Sequence, residues 1–292
     1  MELIEQLKEN IVYQRKLFKD TPRFLRSVYS PKYYFYKKIV KTLFKSNFEN
    51  EKIVKTNTFF GEDIFGYFWD SNFFHMYFFD NLSRNEFSLL LYFIKNISKE
   101  DIFFDIGANY GFYSLLATNI LKERNIHLFE PNPAIFKAVQ KTFCDKSIIS
   151  NKLALAQENG VEDFYNKLQG FHSGGSSLFK KNISYQQYKK IKVKTESINS
   201  YCQKEDITPT FIKMDIEGGE YDALLGAEKI LKNNKDITLA IELKDSEKHK
   251  NAIDLLLKIG FNFYGINREG KLERTNKNDF INFKSLNFVF KK

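Results

Sequence analysis

The sequence predicts an α/β protein built on a doubly wound, mostly parallel sheet, and three observations carry that reading. Apolar runs recur at 102 to 106, 126 to 130, 211 to 216 and 237 to 243 with helical segments between them, the alternation of parallel strands with crossover helices. The first run opens into Asp-Ile-Gly-Ala-Asn-Tyr-Gly at residues 105 to 111, and the second ends on Glu130. A strand that enters a helix through a glycine turn, followed by an acid closing the next strand, marks a nucleotide-type cofactor site. Last, the runs Phe261 to Ile266 and Leu286 to Phe290 flank a charged turn and read as an antiparallel C-terminal hairpin.

Taken in order, residues 2 to 18 place Ile4, Leu7, Ile11 and Phe18 at helical spacing among polar residues, which predicts an amphipathic helix. From Thr21 to Phe48 there is no acid, while Arg23, Arg26, Lys32, Lys37, Lys38, Lys41 and Lys45 alternate with Tyr and Phe. Residues 1 to 48 thus form a basic, aromatic helical extension. Residues 49 to 98 lead into the core through a hairpin punctuated by Gly61 and Gly66 and a helix from Glu86 to Ile97. The cofactor-binding domain occupies 99 to 292, with helices at 111 to 121, 133 to 143, 219 to 232 and 248 to 259; Gly260 is a helix stop.

The chain has 292 residues, enough for a full core, with 31 Phe and 16 Tyr and few Gly or Pro, which excludes a disordered chain. A formal charge of +9 is compatible with an anionic partner. Cys144 and Cys202 show no Cys-x-x-Cys spacing, so zinc and redox chemistry are not indicated and a cytosolic setting with free thiols is expected. No apolar stretch reaches the ~20 residues that span a bilayer.

Three cofactor classes compete for the glycine turn. A dinucleotide asks for G-x-G-x-x-G, but the second glycine is replaced by Asn109, whose side chain would crowd a pyrophosphate. The phosphate-loop reading fails because no Gly-Lys-Ser/Thr follows. Asp105 would repel phosphate and favour an ammonium, which points to S-adenosylmethionine, a cofactor with an amino-acid ammonium and no phosphate.

Asp105-Ile-Gly-Ala-Asn-Tyr-Gly-Phe-Tyr-Ser114, Phe129-Glu-Pro-Asn-Pro133 and Ile212-Lys-Met-Asp-Ile-Glu-Gly-Gly-Glu220 together resemble the motif set of the FkbM-type methyltransferases. Gly174-Gly-Ser-Ser-Leu178 and Leu225-Gly-Ala227 add to the resemblance, which covers about residues 55 to 245. It implies a class I, Rossmann-like methyltransferase that uses S-adenosylmethionine and methylates a hydroxyl of a sugar, glycan intermediate or natural product. It also implies that Asp105, Gly107, Ala108, Asn109 and Gly111 cradle the methionine part, and that Glu130, with Pro131 and Asn132 beside it, takes the ribose hydroxyls.

Asp215, Glu217 and Glu220 form a second acidic group where a strand meets a helix, the place where α/β sheets bind ligands. Asp215 is the first candidate for the base that accepts the hydroxyl proton and Glu217 the second; acids there also favour a helix start for structural reasons. Asp215 and Glu242 end strands expected to be neighbours and form a candidate Mg2+ pair; Glu242 also has Lys213 and Lys244 within reach as surface partners. His172, in Gly170-Phe-His-Ser-Gly-Gly, is a third candidate base on a covering loop. Competing readings assign the basic segment to nucleic acid, with rings stacking on bases, or to peripheral contact with the inner face of a membrane. Against nucleic acid, the chain has Asp215-Ile-Glu-Gly where amino-methylating enzymes carry Asn/Asp-Pro-Pro-aromatic. Residues 160 to 190 are read as loops that build the acceptor pocket.

Overall fold

The structure is a computed structural model that describes residues 2–18, 53–67, 70, 73, 84–167, 176–178, 188–283 and 286–292. Its centre is an eight-stranded mixed sheet. In chain order the strands are β3 (Phe103–Ile106), β4 (Ile126–Phe129), β5 (Ile149–Asn151), β9 (Phe211–Met214), β10 (Thr238–Glu242), β11 (Asn262–Ile266), β12 (Leu272–Arg274) and β13 (Asn287–Lys291). In space they run β12-β11-β13-β10-β9-β3-β4-β5. From β10 to β5 every pairing is parallel, whereas β13 runs antiparallel to both β10 and β11. The expected C-terminal hairpin is therefore present, with β13 inserted between β10 and β11. Strand order reverses at the β3/β9 seam, where a doubly wound sheet opens its ligand crevice.

Both faces of the sheet are covered, which explains why β3, β4 and β9 are buried at every position. Successive side chains alternate between two cores: Phe103 and Phe211 face one, Phe104, Ile212 and Met214 the other. The first core is built with α2 (Arg84–Asn96), α3 (Phe112–Ala117) and α4 (Pro133–Thr142). The second takes α5 (Ile198–Glu205), α6 (Glu220–Leu225), α7 (Glu228–Asn233) and α8 (Glu247–Lys258).

Two lead-in elements dock on the first core. The hairpin of β1 (Ile53–Asn57) and β2 (Asp63–Tyr67) is tied to α4, because Thr142 Oγ1 accepts from Phe65 N at 3.0 Å and Tyr67 Oη donates to Ala134 O at 2.9 Å. The N-terminal helix α1 (Glu2–Phe18) buries Leu7 completely in the same cluster, with Leu3 and Ile4 against it. The basic stretch from residue 19 to 52, on which the nucleic-acid and membrane readings rest, lies outside the described residues. No helix among the described residues is long and apolar enough to cross a membrane.

Two expectations are corrected. The helix expected over 219 to 232 is two helices, α6 and α7, broken at Gly226, where a Cβ would stand 2.2 Å from the carbonyl oxygen of Ala156. The segment read as loop at 160 to 190 contains β7 (Gly160–Lys167) and the start of β8 (Tyr188–Glu196). With β6 (Ala154–Leu155) these form a second sheet in the order β6-β8-β7, and Ser177 bridges to Tyr165.

Leu7→Ala tests the docking of α1. Emptying a fully buried leucine site is expected to cost about 2–5 kcal/mol in urea unfolding, whereas a change near zero would mean that α1 contributes nothing to the core.

Candidate active site

The glycine turn follows from close approach. Gly107 has φ +72°, and a Cβ there would lie 2.0 Å from the backbone oxygen of Asp215, so no other residue fits. Gly107 N and Ala108 N both donate to Phe129 O at 3.1 Å, which binds the turn to the end of β4. Asn109 is left-handed at φ 53°, a conformation that Asn tolerates better than most residues. Gly111, φ +81°, starts α3 beneath the Phe143 ring, which a Cβ would meet at 2.7 Å.

Glu130 is turned back onto this loop. Its Oε2 accepts from Asn109 N at 2.9 Å and its Oε1 from Asn132 N at 2.8 Å. Burial pushes its pKa up to about 7, against the lowering effect of these two N–H groups. Asn132 caps α4 by accepting from Ala134 N, and its Nδ2 donates to Asn166 Oδ1 at 3.1 Å. Pro131 is half-buried between them.

Asp105 lies below the turn and is fully buried. Its Oδ2 accepts from Ser114 N at 3.1 Å and Ser114 Oγ at 2.7 Å, fixing the start of α3, while Oδ1 has no hydrogen-bond partner. Burial raises its pKa, opposed by Lys213 and Ser114. The carboxylate expected at the cofactor is thus half engaged in framework.

Across the seam, Asp215, Glu217 and Glu242 each bring a carboxylate oxygen within 4.8 Å of the others. Glu217 holds a left-handed φ of 57° and its carbonyl accepts from Ser177 Oγ at 3.1 Å. Lys244 Nζ closes on Glu217 Oε2 at 3.1 Å and Glu242 Oε2 at 3.2 Å. Burial, then repulsion by Asp215 and a hydrogen bond that the Glu242 carboxyl donates to Asp215, push the Glu242 pKa up to about 8, so this pair shares a proton at neutral pH. Glu220 plays a different part. Buried at the start of α6, it accepts from Ile216 N at 3.0 Å and Gly218 N at 2.9 Å and pairs with His249 Nε2 at 2.9 Å. It holds the turn that aims Glu217. The third candidate base, His172, lies outside the described residues.

Residues 105–263, more than half of the chain and including every motif just described, match the methyltransferase FkbM domain. The chain belongs to this family. Among solved structures it is similar to the methyltransferase FkbM of Methylobacillus flagellatus KT, with 19% identity over 67% of this chain and 44% of that one and a TM-score of 0.39. It is also similar to precorrin-6y C5,15-methyltransferase of Geobacter metallireducens GS-15, at 11% identity over 70% and 85% of the two chains, TM-score 0.39. Aeropyrum pernix fibrillarin, solved with natively bound S-adenosyl-L-methionine, has 11% identity over 84% of each chain and a TM-score of 0.38. The present chain therefore spans less than half the length of the Methylobacillus flagellatus protein. No curated protein matches it.

Within the FkbM domain, Lys213 is a residue that motif reading passed over as a surface partner for Glu242. The structure buries it, with Nζ 3.8 Å from Asp105 Oδ1, 3.9 Å from Asp215 Oδ2 and 5.1 Å from the centre of the Tyr113 ring. Tyr113 in turn donates to Glu86 Oε2 at 2.7 Å. Burial alone would lower the Lys213 pKa, but Asp215, Asp105, Glu86 and Glu242 together raise it. A strand lysine two residues before Asp215, where an inward-facing apolar residue is expected, was the available signal.

The raised pKa of Glu242 sets a direction for stability. Because its value is about 8 in the folded protein against 4.5 ordinarily, its contribution is fully present below the unfolded value and is lost as pH rises through about 8. Melting curves at pH 5 and pH 9 should therefore show Glu242→Gln gaining on the parent protein as pH rises. A parallel pH dependence of the two would remove the shared proton.

Proposed function

We propose that the protein is an S-adenosylmethionine-dependent O-methyltransferase acting on a hydroxyl of a sugar, a glycan intermediate or a related natural product. The observation that carries this reading is the meeting of two different acidic centres at one seam: Glu130 beside the glycine turn, and Asp215 with Glu217 and Glu242 opposite. The residues fit the cofactor. Glycine at 107 keeps the seam tight, and each Glu130 oxygen receives one backbone N–H, leaving acceptor capacity for two ribose hydroxyls. Bound there, the cofactor supplies an electrophilic methyl group.

On the acceptor side, Asp215 is about a third exposed and is the carboxylate open to an incoming hydroxyl. It accepts the hydroxyl proton as the oxygen becomes a nucleophile. Glu242 carries the shared proton, and Lys244 balances Glu217. Asp215, Glu217 and Glu242 lie close enough to hold a divalent ion such as Mg2+, but the Lys244 ammonium bridges two of them and supplies positive charge there; we read transfer as independent of divalent ions. Clustered carboxylates also disfavour a phosphate-rich acceptor. The free cysteines support a cytoplasmic setting.

Binding of S-adenosylhomocysteine by calorimetry tests the first half: Glu130→Gln is expected to weaken it at least about tenfold, the scale of a lost charged hydrogen bond. Parent affinity should rise with pH through about 7, as Glu130 ionises. Unchanged affinity would remove Glu130 from the site. For the second half, methyl-labelled S-adenosylmethionine is incubated with glycan, lipid and nucleic-acid fractions of a host extract. Label in glycan that survives a chelator and disappears with Asp215→Ala is the expected result; label in nucleic acid would overturn the reading.

A further inference from the structure

Lys213 is a buried lysine held only by two long ion pairs and the face of Tyr113. Its side chain is only 9% exposed, yet its nearest carboxylate oxygens stand at 3.8 and 3.9 Å, beyond hydrogen-bonding range. Other lysines of the protein close on their acids even in solvent: Lys192 reaches Asp163 at 2.7 Å and Lys244 reaches Glu217 at 3.1 Å. Facing Lys213 is the converse deficit, since Asp105 Oδ1 is buried and accepts no hydrogen bond. An ammonium with no carboxylate oxygen in hydrogen-bonding range among the described residues and a bare carboxylate oxygen therefore face one another at 3.8 Å. A buried carboxylate oxygen is rarely left bare, and beside an ammonium that holds its acids only at long range it describes the complement of a zwitterion.

We propose that Lys213 binds the carboxylate of the cofactor's amino-acid end, with the ammonium of that same end directed to Asp105 Oδ1. The inference rests on the cofactor reading above and adds a binding residue to it. An α-amino acid carries both charges on one carbon, so they arrive together and fill both deficits without changing the net charge of an acid-rich site. Asp215, the most exposed member of the group at 34%, marks its solvent side, and Tyr113, beneath the ammonium at 5.1 Å, limits how far Lys213 can retreat. Direct pairing of Lys213 with Asp105 would leave the ligand's carboxylate without a partner; the separation of 3.8 Å keeps both groups available.

Two thioether ligands separate this proposal from a structural role. S-Adenosylhomocysteine has the amino-acid end, and methylthioadenosine keeps the adenosine and the sulfur but lacks it. Calorimetry is expected to show Lys213→Met weakening S-adenosylhomocysteine by about tenfold to a hundredfold, the range for a hydrogen bond to a charged group, with methylthioadenosine unchanged. Lys213→Arg should restore part of the difference. A measurement on the unaltered protein does not depend on how the variant folds: decarboxylated S-adenosylhomocysteine should bind more weakly than the intact ligand by a similar factor. Equal loss of both ligands in Lys213→Met, or full affinity for the decarboxylated ligand, would overturn the assignment. Failure of the unaltered protein to bind either thioether would instead overturn the cofactor reading, and this proposal with it.

Discussion

The contact between the turns that leave β3 and β9 is the constraint on which the rest of the site depends. Asp215 N donates to Ile106 O at 3.1 Å, and the missing side chain of Gly107 is all that lets the Asp215 carbonyl pass. Because Gly107 N and Ala108 N also bond to Phe129 O, the ends of three parallel strands form one hydrogen-bonded unit. Glu130 closes the loop by reaching back to Asn109. The groups proposed for cofactor and for acceptor thus share a single floor, and a shift of one turn would move the other. That sharing matters for a transfer reaction, whose rate depends on alignment at sub-ångström scale.

Carboxylates at this floor divide by how completely their oxygens are satisfied. Glu220 receives two backbone N–H groups and a histidine and is almost fully buried. Its work is to hold Glu217 in a left-handed conformation that an unrestrained glutamate avoids. Asp105 has one oxygen saturated by Ser114 and one bare, and Asp215 is open to solvent. A buried charge is tolerated when paired and bonded, so incomplete satisfaction identifies the groups that await a partner. Membership of a motif does not make that distinction, since all three acids lie in the same motif set.

The sheet was legible because its strands are short apolar runs set off by helical periodicity, and the cofactor turn because its geometry demands glycine at 107 and 111. The second sheet escaped notice for a physical reason. Tyr188–Glu196 alternates Ile191, Val193 and Thr195 with lysines, a half-buried strand whose outward face is so charged that it reads as surface loop. Gly226 could be seen as a helix weakness but not as a break, because what forbids a side chain there is Ala156, distant in sequence. Lys213, Tyr113 and Glu86 were hidden similarly, as each acquires meaning only from neighbours on other elements.

Net charge and the charge at the seam are different quantities. A chain of +9 invites an anionic partner, yet the ammonium of Lys213 is surrounded by Asp215, Asp105, Glu86 and Glu242, and Lys244 by Glu217 and Glu242. Lysines that contribute to the global excess lie elsewhere, including Lys190, Lys192 and Lys194 on the exposed face of β8. Charges more than about 8–10 Å apart are screened at physiological salt, so the reacting atoms respond to the local acids and not to the total. On the function proposed above, an anionic polymer would meet repulsion at the seam, whereas a neutral hydroxyl would find there both a carboxylate to take its proton and ammonium groups to balance the charge that remains.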